Sequence, residues 1–225
     1  MPEMTIQGAI FDLDGTLLDS SGVWRQVDIE YLGRHGAELT PAYTRAVRAM
    51  SFEEGAAFTK DYLRLSQSVE SIIREWHDMV AREYAERLPL KPGARRCLLA
   101  LRDAGVRIGL ATASSQELFE PALQRTGVYG FFDSFTIRSE VGRGKEHPDI
   151  YLRAAQKLGA PPTGCAVFED IAEGLHSAHA AGMTAVAVWD AGAQEDWARI
   201  RREADFAVKR LDEIPALFRR RAAGE

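Results

Sequence analysis

Two aspartates at the end of an apolar run are the residues best placed to do chemistry. The stretch IFDLDGTLLD puts Asp12 and Asp14 two positions apart and follows them with Gly15 and Thr16. On extended backbone both carboxylates point the same way, and Gly15 permits a turn that a residue with a Cβ resists. Two like charges this close need a cation or a shared proton. Taken alone, the motif is also compatible with a solvated turn.

Further polar residues stand in or beside later apolar runs. Thr112 ends VRIGLAT, Lys145 lies in the loop GRGKEH, and Glu169 and Asp170 close CAVFED. Taken one at a time, they also suit a helix N-cap, a solvated lysine and an acidic cap of the next helix. As an ordered set at successive strand ends, they converge on one point of a sheet, which favours a shared site.

Five short apolar runs predict the strands that position these side chains. The runs contain β-branched or aromatic residues, and helix-like segments separate them from the second run onward. They cover residues 9–11, 106–111, 135–137, 165–168 and 184–189. This alternation predicts a parallel sheet with helices on both faces, in which ligands bind beyond the carboxyl ends of the strands.

A helical segment interrupts the alternation after the first strand. Its last helix, within residues 69–87, has an apolar stripe at helical spacing that is typical of a core. The stripe comprises Val69, Ile73, Trp76, Val80 and Tyr84, with Ile72 and Met79 beside it. We therefore expect an α/β protein with a core of residues 1–17 and 90–225 and an all-helical insertion of residues 18–89.

Composition and charge narrow the class of protein. The 225 residues are 46% hydrophobic and 27% charged, as in globular proteins, and the net charge of −5 argues against nucleic acid as the main partner. No signal-peptide pattern and no membrane-length apolar window is present, and Cys97 and Cys165 have no metal spacing, so we expect a cytoplasmic protein with no membrane partner. His176 and His179 are three apart without a third ligand, which favours a solvent-facing helix.

The motifs resemble, in order along essentially the whole chain, those of the haloacid dehalogenase superfamily. DLDGT is similar to its first motif, Thr112 to its second, Lys145 to its third, and Glu169 with Asp170 to its acidic fourth. Phosphatases of that family share a Rossmann-like core and a mobile cap. The position of the helical insertion, after the first motif, resembles that of the cap in the branch of beta-phosphoglucomutase and phosphoglycolate phosphatase.

The resemblance implies a Mg²⁺-dependent phosphatase that hydrolyses a small phosphorylated metabolite, a sugar phosphate or a similar phosphomonoester, through an aspartyl-phosphate. Asp12 would be the nucleophile and Asp14 the general acid and base, which suits carboxylates in phosphoryl transfer. The metal would be held by Asp12, the Asp14 carbonyl and Asp170. Glu169 would be either a further ligand or a residue that contacts a ligand. Thr112 and Lys145 would bind the phosphate. The remaining phosphate or substrate contacts implied near these motifs are Leu13, Thr16, Ala113 and Ser114.

Two positions depart from the mutase pattern. Trp24 stands where a histidine follows the first motif, and Phe52 where the insertion carries an arginine, and both suit an apolar or sugar-ring leaving group. We therefore prefer a hydrolase, with a phosphosugar mutase of the beta-phosphoglucomutase type as the alternative. Arg45, Arg48 and Lys60 could hold a second phosphate if their helices turn them inward. A phosphoacceptor signalling module would be shorter and lack the insertion. We expect a monomer or weak dimer.

Overall fold

A six-stranded sheet, parallel throughout, carries the fold. The computed structural model describes residues 6–47, 50 and 52–218. The strands are β1 (Gly8–Phe11), β2 (Arg107–Thr112), β3 (Ser134–Ile137), β4 (Cys165–Glu169), β5 (Thr184–Val188) and β6 (Phe206–Val208). Their order in the sheet is β3-β2-β1-β4-β5-β6. The winding reverses between β1 and β4, and such a switch point opens a crevice at the carboxyl edge.

β1 is fixed on both sides. Gly8 lies opposite Arg107 of β2 and Cys165 of β4, and the remaining residues of β1 are fully buried. The rings of Phe11 and Phe168 stack with centroids 4.3 Å apart. A Cβ on Gly8 would approach the Cys165 Sγ to 2.9 Å, so this position needs a glycine for close strand packing.

Helices cover the sheet. The core helices are α5 (Ala94–Asp103), α6 (Gln116–Arg125), α7 (Asp149–Leu158), α8 (Ala172–Ala180), α9 (Trp197–Ile200) and α10 (Ile214–Leu217). The buried face of α7 comprises Ile150, Tyr151, Ala154, Ala155 and Leu158, and Gly159 ends the helix with a φ of 59°. None of the helices in the described ranges has the length and apolarity that crossing a membrane requires.

Gly22–Arg87 forms a compact unit of its own, which we call the inserted unit. It consists of α1 (Val23–Arg34), α2 (Pro41–Val47), α3 (Phe52–Leu63) and α4 (Val69–Glu86). Ser68 caps α4, since its side chain accepts a hydrogen bond from the Ser71 amide at 3.2 Å. The buried stripe of α4 differs from the predicted one, because Val69 and Ile73 are half-buried. The buried apolar positions are Ile72, Trp76, Met79, Val80 and Tyr84.

The five predicted strands are confirmed, and each end falls within one residue of its expected place. β6 was not predicted. It has three residues at the sheet edge, with Phe206 half-buried, Ala207 exposed and Val208 buried, so it is too short to produce a periodic signal.

Candidate active site

Asp12 lies one residue beyond β1, at the centre of the carboxyl edge. Its amide donates to the Phe168 carbonyl of β4 at 3.0 Å, so the ladder fixes the backbone that carries the carboxylate. The residue is 4% exposed. Burial raises the pKa of Asp12 well above its usual range; Lys145 opposes this shift, and the carboxylates of Glu169 and Asp170 add to it. Ionised Asp12 therefore needs further positive charge nearby.

Lys145 brings positive charge from the loop before α7. Its Nζ donates to Asp12 Oδ1 and to Glu169 Oε1, and its side chain is 11% exposed. Burial lowers the pKa of Lys145, but the two carboxylates outweigh burial and hold the pKa above its ordinary value. Lys145 is thus a charged group within the site, and the solvated-lysine interpretation is wrong.

Glu169 ends β4 and is fully buried. Its Oε1 accepts a hydrogen bond from the Tyr151 hydroxyl at 2.7 Å as well as the one from Lys145, and its Oε2 accepts from the Asp170 amide at 3.2 Å. The next helix, α8, has Ile171 as its N-cap and no side-chain cap. The acidic pair therefore does not cap that helix.

Asp170 lies against the loop that follows β1. The Thr16 hydroxyl donates to its Oδ1 at 3.1 Å. Burial, with a further contribution from the Glu169 charge, raises the pKa of Asp170 to about 7. Gly15 has a φ of 78°, and a Cβ there would lie 2.3 Å from Asp170 Oδ2. Gly15 is therefore needed both for its conformation and for this close approach.

Asp14 meets the end of β2. Its Oδ2 accepts a hydrogen bond from the Ser114 hydroxyl at 2.7 Å, while the Ser114 amide donates to Thr112 Oγ1 at 3.0 Å. Thr112 is buried, whereas Ala113 is exposed beside it. Leu13, between the two aspartates, has a fully buried side chain. The predicted first and second motifs are thus brought together.

Three carboxylates could hold a metal ion. Asp12, Glu169 and Asp170 each offer an oxygen, and these oxygens lie within 4.8 Å of one another. All three are buried, and Lys145 alone cannot neutralise them. Clustered carboxylate oxygens suit a hard cation such as Mg²⁺. The donor set therefore fits the ion that the sequence predicts.

A buried ion pair that sequence reasoning missed supports the loop from behind. Lys91 Nζ donates to the Gly15 carbonyl at 2.7 Å, to the Trp189 carbonyl at 2.6 Å and to Asp190 Oδ2 at 2.7 Å. The Ser21 hydroxyl also donates to Asp190. Neither Lys91 nor Asp190 belongs to a recognisable motif, because their partners are far apart in sequence.

Tyr151 is a second residue whose role was missed. It lies on the buried face of α7, and its hydroxyl donates to Glu169. A buried tyrosine normally needs a hydrogen-bond partner, whereas phenylalanine does not. That chemical difference was an available signal for a polar contact.

The predicted substrate contacts of the insertion lie together in the inserted unit. The rings of Trp24 and Phe52 meet edge to face, with centroids 4.9 Å apart, and Trp24 is 48% exposed. Of the possible second-phosphate cations, Lys60 is half-buried, while Arg48 and the Arg45 side chain lie outside the described residues. The substrate roles of Trp24 and Phe52 remain predictions.

His176 and His179 lie at the surface of α8. Their side chains are 74% and 40% exposed, and their ring nitrogens lie 3.7 Å and 2.9 Å from carboxylate oxygens of Glu203 and Asp205. This arrangement agrees with a solvent-facing helix.

Comparison with known proteins gives a consistent family. The model of the haloacid dehalogenase-like hydrolases matches residues 6–182. Hexitol phosphatase B of Escherichia coli K12 is 28% identical over 214 residues, covering 94% of this chain and 95% of its own. Fructose-1-phosphate phosphatase of the same organism is 31% identical over 188 residues, covering 80% and 95%.

A solved structure agrees with these relatives. A haloacid dehalogenase family hydrolase from Deinococcus radiodurans, determined with bound phosphate and sodium, is 26% identical with a TM-score of 0.72 and covers 94% of this chain and 97% of its own. The two Escherichia coli relatives do not favour the mutase alternative over a phosphatase. The chain therefore belongs to the haloacid dehalogenase-like hydrolase family.

Proposed function

We propose that this chain is a Mg²⁺-dependent phosphatase that hydrolyses a small sugar phosphate or related phosphomonoester through an aspartyl-phosphate on Asp12. The observation that carries the proposal is the convergence of Asp12, Lys145, Glu169 and Asp170 at the carboxyl edge of β1 and β4. The substrate class is supported by the relatives, which are phosphatases of a hexitol and of fructose 1-phosphate. The Deinococcus relative binds phosphate.

Asp12 acts as the nucleophile. Its carboxylate attacks phosphorus in line with the leaving oxygen, so that an O–P bond forms on Asp12 as the ester O–P bond breaks. Lys145, bonded to the same carboxylate, keeps positive charge beside the phosphoryl oxygens and opposes the protonation of Asp12 that burial favours. Buried charge of this kind is fixed in place before the substrate arrives.

Asp14 moves the proton. It donates a proton to the leaving alkoxide, and it then accepts one from the water that cleaves the aspartyl-phosphate. The Ser114 hydroxyl, 2.7 Å from Asp14 Oδ2, orients the carboxylate. Since Asp14 is half-buried, its side chain remains accessible to a substrate and to water.

Asp12 and Asp170 would hold the Mg²⁺ together with the Asp14 backbone carbonyl. When bound, the ion supplies charge neutralisation and orientation for the phosphate. Both oxygens of Glu169 already accept hydrogen bonds from neighbouring groups. We therefore assign Glu169 to the positioning of Lys145.

The phosphate oxygens need hydrogen-bond donors from the end of β2. Thr112 Oγ1 accepts from the Ser114 amide, which leaves the Thr112 hydroxyl proton to donate to phosphate. The exposed Ala113 can add its backbone amide. The Thr16 hydroxyl donates to Asp170, so we assign this hydroxyl to the orientation of that carboxylate; the predicted phosphate contact of Thr16 would then use its backbone amide.

The test is Asp12→Asn, with Asp103→Asn at the exposed end of α5 as the matched control. Phosphate release is measured from sorbitol 6-phosphate and p-nitrophenyl phosphate, with Mg²⁺ and after dialysis against EDTA. We expect Asp12→Asn to lower kcat/KM on the order of 10³-fold or more, as losses of a nucleophile do, and EDTA to abolish turnover reversibly. A folded Asp12→Asn variant with more than a few per cent of the rate, or full activity in EDTA, would contradict the mechanism.

A further inference from the structure

A buried hydrogen-bond network connects α7 to the proposed nucleophile. The Tyr151 hydroxyl donates to Glu169 Oε1 at 2.7 Å, and the Lys145 ammonium group donates to the same oxygen and to Asp12 Oδ1. Tyr151 and Glu169 are fully buried, and the side chain of Lys145 is 11% exposed. Because these groups are buried, the orientation of the Glu169 carboxylate depends on the protein groups that contact it.

The two oxygens of Glu169 are held from different sides of the fold. A carboxylate accepts hydrogen bonds and does not donate them. Its Oε2 accepts from the backbone amide of Asp170 at 3.2 Å, whereas its Oε1 accepts from the side chains of Lys145 and Tyr151. Without the Tyr151 hydroxyl, Oε1 would depend on Lys145, the very group whose place Glu169 has to determine.

Gly174 on α8 leaves room for the contact between Glu169 and Tyr151. A Cβ at Gly174 would lie 2.6 Å from Glu169 Cδ and 2.8 Å from the Tyr151 hydroxyl oxygen. Both of these atoms belong to the ends of side chains, so the two side chains would have to move apart. A helix otherwise favours alanine over glycine. The space that Glu169 and Tyr151 occupy therefore explains the glycine at this position.

The position of Lys145 has to survive a change in one of its two partners. A lysine is a point charge on a flexible stem, and it stabilises a transferring phosphoryl group only while it is held beside that group. In the proposed reaction Asp12 becomes bonded to phosphorus, so Glu169 is the partner whose carboxylate stays unchanged. We propose that Tyr151 is a positioning residue for Lys145, acting through Glu169, and that Gly174 provides the space for this arrangement. This inference rests on the proposed phosphatase function.

Tyr151→Phe removes the donor and keeps the ring. Phosphate release from sorbitol 6-phosphate and from p-nitrophenyl phosphate gives kcat/KM for two different leaving groups. We expect kcat/KM to fall about tenfold, since the lost hydrogen bond is to a charged group. The fall should be the same for both esters, because Lys145 acts on the phosphoryl group that they share. Tyr31→Phe is the matched control, since Tyr31 is a buried tyrosine of the inserted unit whose hydroxyl accepts from Gln67; it should leave kcat/KM unchanged.

The NMR signals of the lysine ammonium groups report positioning without turnover. In protein labelled with isotopic lysine, the signal that disappears in Lys145→Met is that of Lys145. Tyr151→Phe should shift the Lys145 signal, whereas the signal of Lys91, which is buried with partners of its own, should stay in place. Tyr31→Phe should shift neither signal.

Gly174→Ala tests the same contact from α8. The methyl group should displace Glu169, shift the Lys145 signal and lower kcat/KM about tenfold or more, although alanine favours the helix. The matched control is Gly33→Ala in α1, where a Cβ meets no atom within 4 Å. It should change neither the Lys145 signal nor kcat/KM.

The outcomes distinguish the two proposals. If the unaltered protein releases no phosphate from either ester, the phosphatase function is refuted, while the Lys145 signal still shows whether Tyr151 positions this lysine. If the unaltered protein is active, a folded Tyr151→Phe variant that keeps either its kcat/KM values or its Lys145 signal shows that the positioning role is wrong. A fall in kcat/KM with only one of the two esters would also overturn it, because the effect would then concern the leaving group. If Tyr151→Phe does not fold, Gly174→Ala is judged by the same criteria.

Discussion

Replacing Lys91 by methionine tests whether the ion pair behind the site is a structural requirement. Methionine keeps most of the side-chain length and apolar volume but removes the ammonium group. Lys91 is 7% exposed, and its three hydrogen bonds hold the Gly15 and Trp189 carbonyls and the Asp190 carboxylate. The change therefore releases the loop that carries Asp14 and Gly15, next to the proposed nucleophile Asp12, and leaves Asp190 without its cation.

The magnitude follows from burial. Burial raises the pKa of Asp190, but the hydrogen bonds from Lys91 and Ser21 outweigh it and hold the pKa below its usual value. Removing one partner of a buried pair costs about 3–5 kcal/mol, because the other charge stays uncompensated. The matched control is Arg96→Met, which breaks an ion pair whose arginine side chain is 70% exposed and should cost at most about 1 kcal/mol.

Urea denaturation at pH 7, followed by circular dichroism, measures both variants. We also expect Lys91→Met to lower kcat, because the Gly15 carbonyl loses its anchor. The double variant Lys91→Met/Asp190→Leu removes both charges, so it should be less destabilised than the sum of the single changes. A cost below about 1 kcal/mol for Lys91→Met, or strict additivity in the double variant, would refute the reasoning.

Two further changes probe the loop after β1 and Asp28, a half-buried carboxylate of the inserted unit. Gly15→Ala should lower phosphatase activity at least about tenfold and cost about 1–3 kcal/mol, because a Cβ at a φ of 78° meets Asp170; retained activity, measured with unfolding, would contradict this. Asp28→Asn should raise the free energy of unfolding at pH 8 on the order of 1 kcal/mol, discounted for partial exposure. The pKa of Asp28 in the folded protein, about 6, exceeds its value in the unfolded chain. Ionisation of Asp28 therefore lowers the free energy of unfolding of the unaltered protein as pH rises from about 4 to 6. The stability gained by Asp28→Asn should accordingly vanish by about pH 4. Urea titrations at several pH values check this, and a gain that does not depend on pH would contradict it.

The sequence predicts best where a local pattern determines the structure. β1 and β4 read as short apolar runs, and their last carboxylates, Asp12 and Glu169, lie at the expected edge. The contacts that shape the site are less accessible, because they join distant segments. Thr16 donates to Asp170 across 154 positions, and no local pattern distinguishes that use of its hydroxyl from a phosphate contact.

The tertiary context also decided which polar residues are buried. The loop around Lys145 is polar and glycine-rich, which indicates solvent exposure, yet two carboxylates hold its ammonium group at 11% side-chain exposure. Lys91 is likewise a buried lysine. Its partner Asp190 follows β5, so it can be identified only once β5 has been placed in the sheet. Burial of a charge depends on partners that composition does not reveal.

The central place of β1 has a consequence for synthesis of the chain. β1 pairs with β2 and β4, and both are translated after the whole inserted unit. Helices made of local contacts form quickly, whereas long-range strand pairing is slow. During translation the apolar stretch of β1 therefore has no strand paired with either of its edges until β2 and β4 have been made. Unpaired strand edges of this kind favour association with other chains. Since Glu169 and Asp170 come later still, a nascent chain carries Asp12, the proposed nucleophile, long before the site around it can form.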